Sequence, residues 1–238
     1  MTKLLDMFGK PEVTENLNRI LARIEHTDKH LFAIDDEAKL IAAVADATKD
    51  LSYLTADITL TATLVIAQDF ILYGEDFDLT DATLDANQYM AMQISGNDVE
   101  IDSVKFAISG DSDANALYSI DVGGKRSNIH DCEFVMANAG SSGAVSVYYE
   151  GGTANSGHVL KDNVLSNGVA LTGNADFAEI SGNTFAATKG FGLGECTING
   201  IHYNAYDPVK YAKIVEYLVA QGNTTTGGTL VVTDYFAP

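Results

Sequence analysis

The chain has 238 residues and carries 33 acidic against 14 basic side chains, which gives a formal net charge of −19. This negative charge would repel phosphate backbones and anionic lipid headgroups, so binding to nucleic acid or to a membrane surface is not expected. No segment approaches the roughly 18 consecutive apolar residues of a membrane span, and two cysteines do not make a disulfide framework. An acidic surface that keeps copies of the protein apart is the simplest interpretation, with association of Ca²⁺ or another cation as the alternative.

The N-terminal region contains a predicted amphipathic helix. Residues 14–25 have apolar positions at the helical spacing i, i+3, i+4 and i+7. This apolar stripe comprises Leu17, Ile20, Leu21 and Ile24. We expect it to attach the protein to a neighbouring subunit or partner, with simple capping as the alternative. Residues 1–11 contain Lys3, Asp6 and Lys10 and no apolar core of signal-peptide length, so no export signal is expected.

A second helix is predicted to follow Asp35 and Asp36, because carboxylates suit a helix N-terminus. Its buried face would contain Leu40, Val44 and Ala47. Alternating apolar residues from position 58 to position 66 then predict strands. A helix directly before these strands would cover an edge whose backbone groups are otherwise unpaired.

A repeated pattern follows, in which an aliphatic residue precedes a large apolar residue by five positions. The six pairs are Leu72 with Phe77, Ile101 with Phe106, Ile129 with Phe134, Leu160 with Leu165, Ile180 with Phe185, and Ile198 with Tyr203. Successive copies lie 29, 28, 31, 20 and 18 residues apart, a spacing typical of stacked supersecondary units. Around Ile101, apolar residues alternate on both sides of the polar corner Asp102-Ser103. Each copy is therefore predicted to be a strand that turns a corner.

Alignment of the six copies stacks like residues in columns. One column holds Val104, Cys132, Asn163, Asn183 and Ile201, and the next holds Phe106, Phe134, Leu165, Phe185 and Tyr203. Such columns are typical of a parallel β-solenoid, in which successive coils lie about 4.8 Å apart. The stacked asparagines predict a hydrogen-bonded ladder inside the core. We therefore predict an all-β fold, a parallel β-helix of about six coils with capping α-helices at both ends. The expected regions are a helical segment at 1–50, the β-helix at 51–204 and a cap at 205–238.

Residues 58–203, about three fifths of the chain, resemble the right-handed parallel β-helix of the pectate-lyase-like superfamily. The resemblance lies in cassettes of the form Ile-x-x-Asn-x-Phe, such as residues 180–185. It implies right-handed coiling, in agreement with the general rule for parallel crossovers. The chain resembles β-helical surface proteins of tailed phages more than the enzymes of the superfamily, because the catalytic motifs of those enzymes are not present as such.

The C-terminal region leaves the repeat at about residue 204. Asp207 as N-cap, Pro208 in the first turn and Gly222 just past the end delimit a predicted helix. Its apolar face comprises Val209, Ile214, Tyr217 and Leu218. A final strand is predicted at 230–232. Tyr235 and Phe236 lie at the end of the chain, where we expect them to contact another subunit.

Possible chemistry is confined to a few residues. Asp131 and Asp162 occupy the same cassette position in consecutive coils, and their predicted separation of about 5 Å matches the carboxylates of retaining glycosidases. His130 could assist Asp131. Corner positions favour aspartate for turn reasons alone, however, and the next coil has Gly182. A surface cation site is a further alternative for this pair.

Three tyrosines could form a sugar-contacting patch, although ordinary strand aromatics would give the same pattern. They are Tyr118, Tyr148 and Tyr149. Such a patch would suit a protein that contacts surface glycans.

The sequence favours a non-enzymatic structural protein on the surface of a virion, such as a capsid decoration, fibre or tail-spike protein of a tailed phage. It would be made in the host cytoplasm and would form a homo-oligomer, with a trimer favoured, that contacts other virion proteins such as the capsid. No cofactor is expected other than Ca²⁺. The alternatives are a polysaccharide lyase or glycoside hydrolase on acidic polysaccharide, and an extracellular cell-surface or S-layer-like module.

Overall fold

A computed structural model describes residues 31–46, 51–74, 77–81, 90–108, 118–136, 144–150 and 156–238. The strands are β1 (Leu31–Ile34), β2 (Leu51–Leu54), β3 (Ile58–Leu60), β4 (Leu64–Ile66), β5 (Ile71–Tyr73), β6 (Asp78–Asp81), β7 (Met90–Ile94), β8 (Glu100–Asp102), β9 (Lys105–Ile108), β10 (Tyr118–Val122), β11 (Asn128–His130), β12 (Glu133–Met136), β13 (Val145–Tyr149), β14 (His158–Lys161), β15 (Val164–Leu165), β16 (Gly168–Leu171), β17 (Ala175–Ser181), β18 (Thr184–Phe185), β19 (Gly190–Leu193), β20 (Cys196–Ile198), β21 (Ile201–Tyr203), β22 (Thr224–Thr225) and β23 (Val231–Asp234). The helices are α1 (Glu37–Ala45) and α2 (Pro208–Ala220).

The strands form three stacked sheets, and from β2 to β20 successive strands fall in sheets A, B and C in turn. Sheet A has the order β1-β2-β5-β8-β11-β14-β17-β20-β21, sheet B the order β22-β18-β15-β12-β9-β6-β3, and sheet C the order β23-β19-β16-β13-β10-β7-β4. Pairing within the described residues is parallel except between β20 and β21. The predicted all-β parallel β-helix is confirmed. Sheets B and C contain seven described strands each, against the predicted six coils.

The predicted columns fill the interior of the middle coils. Ile101, Ile129 and Leu160 are register partners in sheet A and are fully buried. The rings of Phe106 and Phe134 stack with centroids 4.9 Å apart and planes inclined by 3°. Inward residues at each strand therefore form continuous apolar columns, as expected for an alternating strand whose inner face is the core.

Each middle coil turns a tight corner between its sheet A and sheet B strands. The corner residues have left-handed backbone angles: Ser103 (φ 56°), Asp131 (φ 54°), Asp162 (φ 52°) and Gly182 (φ 65°). The residue after the corner points inward, and two of these residues form the predicted asparagine ladder. Asn163 Nδ2 donates to Asn183 Oδ1 at 3.0 Å, and Asn183 Nδ2 donates to Asn223 Oδ1 at 2.9 Å. The ladder is confirmed and continues one coil beyond the predicted pair.

The first cassette differs from its prediction. Phe106 pairs with Leu79 rather than with Phe77. Leu79 follows Leu72 by seven positions instead of five, so the two column positions of this coil are two residues further apart in the sequence than predicted. Phe77 is half-buried and packs against the core from the flank.

The sixth cassette is also out of the predicted register. Ile198 pairs with Phe177, not with Ile180, and Tyr203 lies on β21, antiparallel to β20. The reversal follows from Asn199 and Gly200, which have φ of 50° and 71°, the angles of a tight hairpin turn. The hairpin and α2 are inserted before the last corner, so Asn223 and Thr225 fill the column positions assigned to Ile201 and Tyr203.

Both helices have the predicted caps. Asp36 accepts a hydrogen bond from the backbone N–H of Lys39 at 2.7 Å, and Asp207 accepts from Lys210 at 3.0 Å. Within α1, Leu40 and Val44 are buried as predicted, while Ala47 lies outside the described residues. In α2, Ile214 and Leu218 are fully buried, but Val209 is 64% exposed, so its assignment to the apolar face was wrong. At 3.6 residues per turn, Val209 lies on the side of the helix opposite to Leu218, so it faces away from the core.

The β-helix extends past both expected boundaries. β1 already pairs with β2, and β22 and β23 complete sheets B and C. β1, within the segment expected to be helical, and the two strands within the expected C-terminal cap therefore pair with the coils. In the described part of the chain, no helix is both long and apolar enough to cross a membrane.

Candidate functional site

Two tyrosines stack on the outer face of sheet C. Tyr118 on β10 and Tyr148 on β13 have ring centroids 4.4 Å apart and planes inclined by 6°. Both side chains are half-buried, while Ile120 and Val147 on the same strands fill the core. Burial and the neighbouring Tyr148 raise the pKa of Tyr118 to about 12, so its phenol stays neutral at physiological pH. The pair offers a flat, uncharged aromatic surface.

The surface continues toward the C-terminal coils as a shallow trough of small residues, which Tyr235 crosses at its far end. Register partners place Ala170, Gly192 and Thr233 in the row that begins at Tyr148. At the far end Tyr235 is 50% exposed, and its hydroxyl lies where a Cβ on Gly192 would stand. The groove here has a volume of about 240 Å³. Its lining includes Gly168, Lys189, Gly190, Gly192, Thr233 and Tyr235.

A pair of carboxyl groups lies beside the tyrosines. Asp121 is the register partner of Tyr148 and is 1% exposed, and its Oδ1 has no hydrogen-bond partner among the described residues. Burial, followed by the negative charge of the exposed Glu150, raises the pKa of Asp121 to about 6. A carboxyl group whose pKa is raised to about 6 beside a second carboxyl group is an arrangement suited to acid–base chemistry.

Tyr149 does not belong to this surface, so its assignment to the sugar-contacting patch was wrong. It is fully buried and packs edge-on against Phe177, with ring centroids 4.8 Å apart. Successive side chains on a strand point to opposite faces, so Tyr148 and Tyr149 cannot both face outward. Tyr118 and Tyr148 do come together as predicted.

A second cluster lies on the outer face of sheet A around His130. Its Nε2 is 2.8 Å from Glu100 Oε1, and its Nδ1 is 2.8 Å from Asp131 Oδ2 and 3.5 Å from Asp102 Oδ1. Burial opposes protonation, but hydrogen bonds to Glu100 and Asp131 and the charge of Asp102 together raise the pKa of His130 above its usual value. The imidazole is thus held by three carboxylates.

The two candidate catalytic aspartates occupy equivalent corners but have different partners. Asp131 contacts His130, whereas Asp162 lies 3.8 Å from Lys161 Nζ. The carboxylate of Asp162 also fills the space that a Cβ on Gly182 would need, which explains the glycine in the next coil. The predicted proximity of His130 and Asp131 is therefore observed, and Asp162 is engaged elsewhere.

The attachment residues predicted from the sequence fall into two groups. Leu17, Ile20, Leu21 and Ile24 lie outside the described residues. Phe236 is half-buried and packs against Tyr203, with ring centroids 5.7 Å apart, and Tyr235 lies over Gly192. Both C-terminal aromatics therefore have partners within the chain. Cys132 and Cys196 are buried free thiols.

Several residues of these sites were missed. The cassette alignment already pairs Glu100 with Asn128 and Asp102 with His130, so the cluster on sheet A was accessible from the pairing of Ile101 with Ile129. Asp121 and Glu150 had no comparable signal, because Glu150 lies just past the end of β13.

No protein-family model, curated protein or solved structure matches this chain. The three stacked parallel sheets are a property of the molecule, whereas membership of the pectate-lyase-like superfamily is part of the proposal below.

Proposed function

We propose that this chain is a structural surface protein whose β-helix binds glycans on the outer face of sheet C. The observation that carries the proposal is the parallel stack of Tyr118 and Tyr148, with centroids 4.4 Å apart, on the outer face of sheet C. Aromatic faces pack against the C–H faces of sugar rings, and tyrosine adds a hydroxyl for hydrogen bonding.

The trough suits a short segment of sugar chain. From Tyr148 to Thr233 the outer row crosses three coil-to-coil steps, or roughly 14 Å at about 4.8 Å per step. Between these positions Ala170 and Gly192 carry no long side chain, and the Tyr235 ring lies over Gly192. The aromatic rings of Tyr148 and Tyr235 would therefore orient a sugar chain along the long axis of the molecule.

The charge of the protein favours neutral glycans over acidic ones. The net charge is −19, and Asp121 and Glu150 lie beside the tyrosines. The exposed Glu150 can accept hydrogen bonds from sugar hydroxyls, whereas the acidic surface repels carboxylated or sulfated polymers.

The setting that we propose is the surface of a tailed-phage virion, with the chain assembled as a homo-oligomer, a trimer in the favoured form, and attached to other virion proteins. Support comes from the resemblance to β-helical phage proteins and from the rigidity that the paired sheets and asparagine ladder provide. Membership of the pectate-lyase-like superfamily belongs to the same proposal.

The test is a screen of the full chain against immobilised neutral and acidic glycans, followed by calorimetry on the strongest neutral ligand. Tyr148→Ala should weaken binding by about tenfold, since an aromatic contact contributes on the order of 1 kcal/mol beyond its buried area. Tyr206→Ala is the matched control, because Tyr206 is 53% exposed and lies just before α2. Equal binding by the two variants, or no binding of any neutral glycan, would contradict the proposal.

A second candidate function is cleavage of the bound glycan. It is favoured by one observation, the raised pKa of Asp121, about 6, beside Glu150. In such a pair the protonated group donates a proton to the leaving oxygen and the ionised group assists water or the sugar ring. Release of reducing ends that disappears in both Asp121→Asn and Glu150→Gln would establish the enzyme. Binding without product release in the wild type would exclude it for the glycans tested.

A further inference from the structure

The cluster on the outer face of sheet A plays no part in the proposed glycan site, and its residue types suit a metal ion. Glu100, Asp102 and His130 each offer one ligand atom, and these three atoms lie within 4.8 Å of one another. We propose that they bind one transition-metal dication of the Zn²⁺ class.

The β-helix positions these side chains through its regular register. Glu100 and Asp102 flank the buried Ile101 on β8, so both point outward from the same strand. His130 on β11 is the register partner of Asp102. The ligands therefore stand on two hydrogen-bonded strands of the sheet, which hold them more firmly than a loop would.

The three side chains are largely removed from solvent. The exposed fractions are 8% for His130, 15% for Glu100 and 2% for Asp102. Carboxylates in such surroundings require nearby positive charge. A bound dication would bring two positive charges to these carboxylates.

The contacts of His130 also define which nitrogen binds. Asp131 Oδ2 lies 2.8 Å from Nδ1, and a carboxylate on the far nitrogen is the usual means of orienting a metal-bound histidine. Nε2, which lies 2.8 Å from Glu100 Oε1, is then the ligand atom. On binding, the imidazole proton is released to solvent, and the hydrogen bond from Nε2 to Glu100 is replaced by bonds from both groups to the ion. Asp131 is a positioning residue in this arrangement.

The ligand set selects the type of ion. Zn²⁺ takes imidazole nitrogen and carboxylate oxygen at about 2.0 to 2.2 Å, which places ligand atoms within about 4 Å of one another. Ca²⁺ and Mg²⁺ prefer all-oxygen surroundings and more ligands. We therefore expect Zn²⁺ to bind more tightly than Mg²⁺ at this position.

The test uses the full chain, treated with EDTA, dialysed, and titrated with ZnCl₂ by calorimetry in 150 mM NaCl near pH 7.5. We expect saturable binding of one ion per chain, with proton release that is seen as a dependence of the heat on the buffer. Lowering the pH to 6 should weaken the affinity, because the proton competes for the imidazole. CoCl₂ should give a visible absorption spectrum that reports nitrogen and oxygen ligands.

Glu100→Gln keeps the shape of the side chain and should weaken Zn²⁺ binding at least tenfold, as should His130→Asn. Asp162→Asn is the matched control, since Asp162 occupies the corner equivalent to Asp131 but pairs with Lys161. Circular dichroism checks that each variant is folded. If His130→Asn does not fold, the Zn²⁺ affinity of Glu100→Gln alone tests the proposal. Absence of saturable binding, or equal affinity of wild type and Glu100→Gln, would overturn the proposal, and MgCl₂ binding of similar strength would reduce the cluster to a general cation atmosphere.

Discussion

Histidines on the outer and inner faces of the β-helix have different surroundings and different pKa values. His130 and His158, on neighbouring strands, show this difference. His130 faces outward among three carboxylates, which raise its pKa above the usual value. His158 faces the core, packed between Tyr149 and Phe177, and burial lowers its pKa to about 4. One strand position thus favours the protonated imidazole and the other favours the neutral form. The face of the sheet on which a histidine lies therefore determines both its packing and the direction in which its pKa moves.

We expect the largest change in the free energy of unfolding when an inward-facing side chain is truncated, compared with an outward-facing neighbour on the same strand. Phe134→Ala should lower the free energy of unfolding by about 3 to 5 kcal/mol, because Phe134 is 1% exposed and stacks on Phe106. Val135→Ala, one residue along β12 and 39% exposed, should cost less than about 1 kcal/mol. Urea unfolding of both variants measures the contrast, and similar losses would show that the two faces are assigned wrongly.

A substitution in the asparagine ladder should cause the second largest loss in the free energy of unfolding. Asn183→Ala removes the acceptor of Asn163 and the donor to Asn223, both buried, so we expect a loss on the order of 3 kcal/mol. Thr224→Ala, on the exposed side of the same corner strand pair, is the control and should be close to neutral. A neutral Asn183→Ala would mean that the ladder orders the coils without stabilising them.

His158 should make stability fall in acid. Its pKa in the folded protein is about 4, below the usual 6.5, so the unfolded chain takes up a proton first as the pH falls. The contribution of the neutral histidine is fully present above pH 6.5 and is lost toward pH 4, by at most about 3 kcal/mol. The raised pKa of Asp121 acts in the opposite direction over part of this range, so the comparison is with His158→Gln. Subtracting the two stability–pH curves should leave a rise with pH, and His202→Gln, at an exposed position, serves as control.

The contribution of His130 to the free energy of unfolding should depend on pH in the opposite direction and should be the smallest of the four. Its raised pKa means that stability from the imidazolium is complete below the unfolded pKa and is lost as the pH rises through the folded pKa. The charged groups around it are Glu100, Asp102 and Asp131, with Lys161 as its register partner on β14. In EDTA, the loss caused by His130→Gln should be greater at pH 6 than at pH 8. A constant loss across this range would show that the ring only fills space.

The middle coils were predictable because their signal is local and repeated. Ile101, Ile129 and Leu160 recur before polar corners, and the corner position accepts only residues that tolerate left-handed angles or carry a short polar side chain. Columns, corners and the pairing of Asn163 with Asn183 therefore follow from the alignment. The bounds of α2 follow equally from the cap at Asp207 and the left-handed Gly222, with φ of 79°.

The ends of the solenoid and the sites on its outer faces were harder to predict from the sequence, for different reasons. Asn199-Gly200 reverses the chain, and a repeat pattern that continues through this turn hides the reversal. Asn223 belongs to the ladder only because the chain returns to the corner after an inserted helix, which no fixed spacing reveals. The raised pKa of Asp121, by contrast, results from burial of an outward-facing side chain. Such burial depends on neighbouring coils and not on the alternation of side chains along the strand itself.

The antiparallel strand β21 gives the molecule a definite end. The last coil of a parallel β-helix exposes a row of backbone groups on which a further coil, or another copy of the chain, could add in the same direction. Because β21 runs against β20, that edge of sheet A presents reversed strand polarity. An added strand that runs in the direction of the coils would meet β21 in antiparallel pairing, so the regular parallel stacking of coils does not continue across this edge.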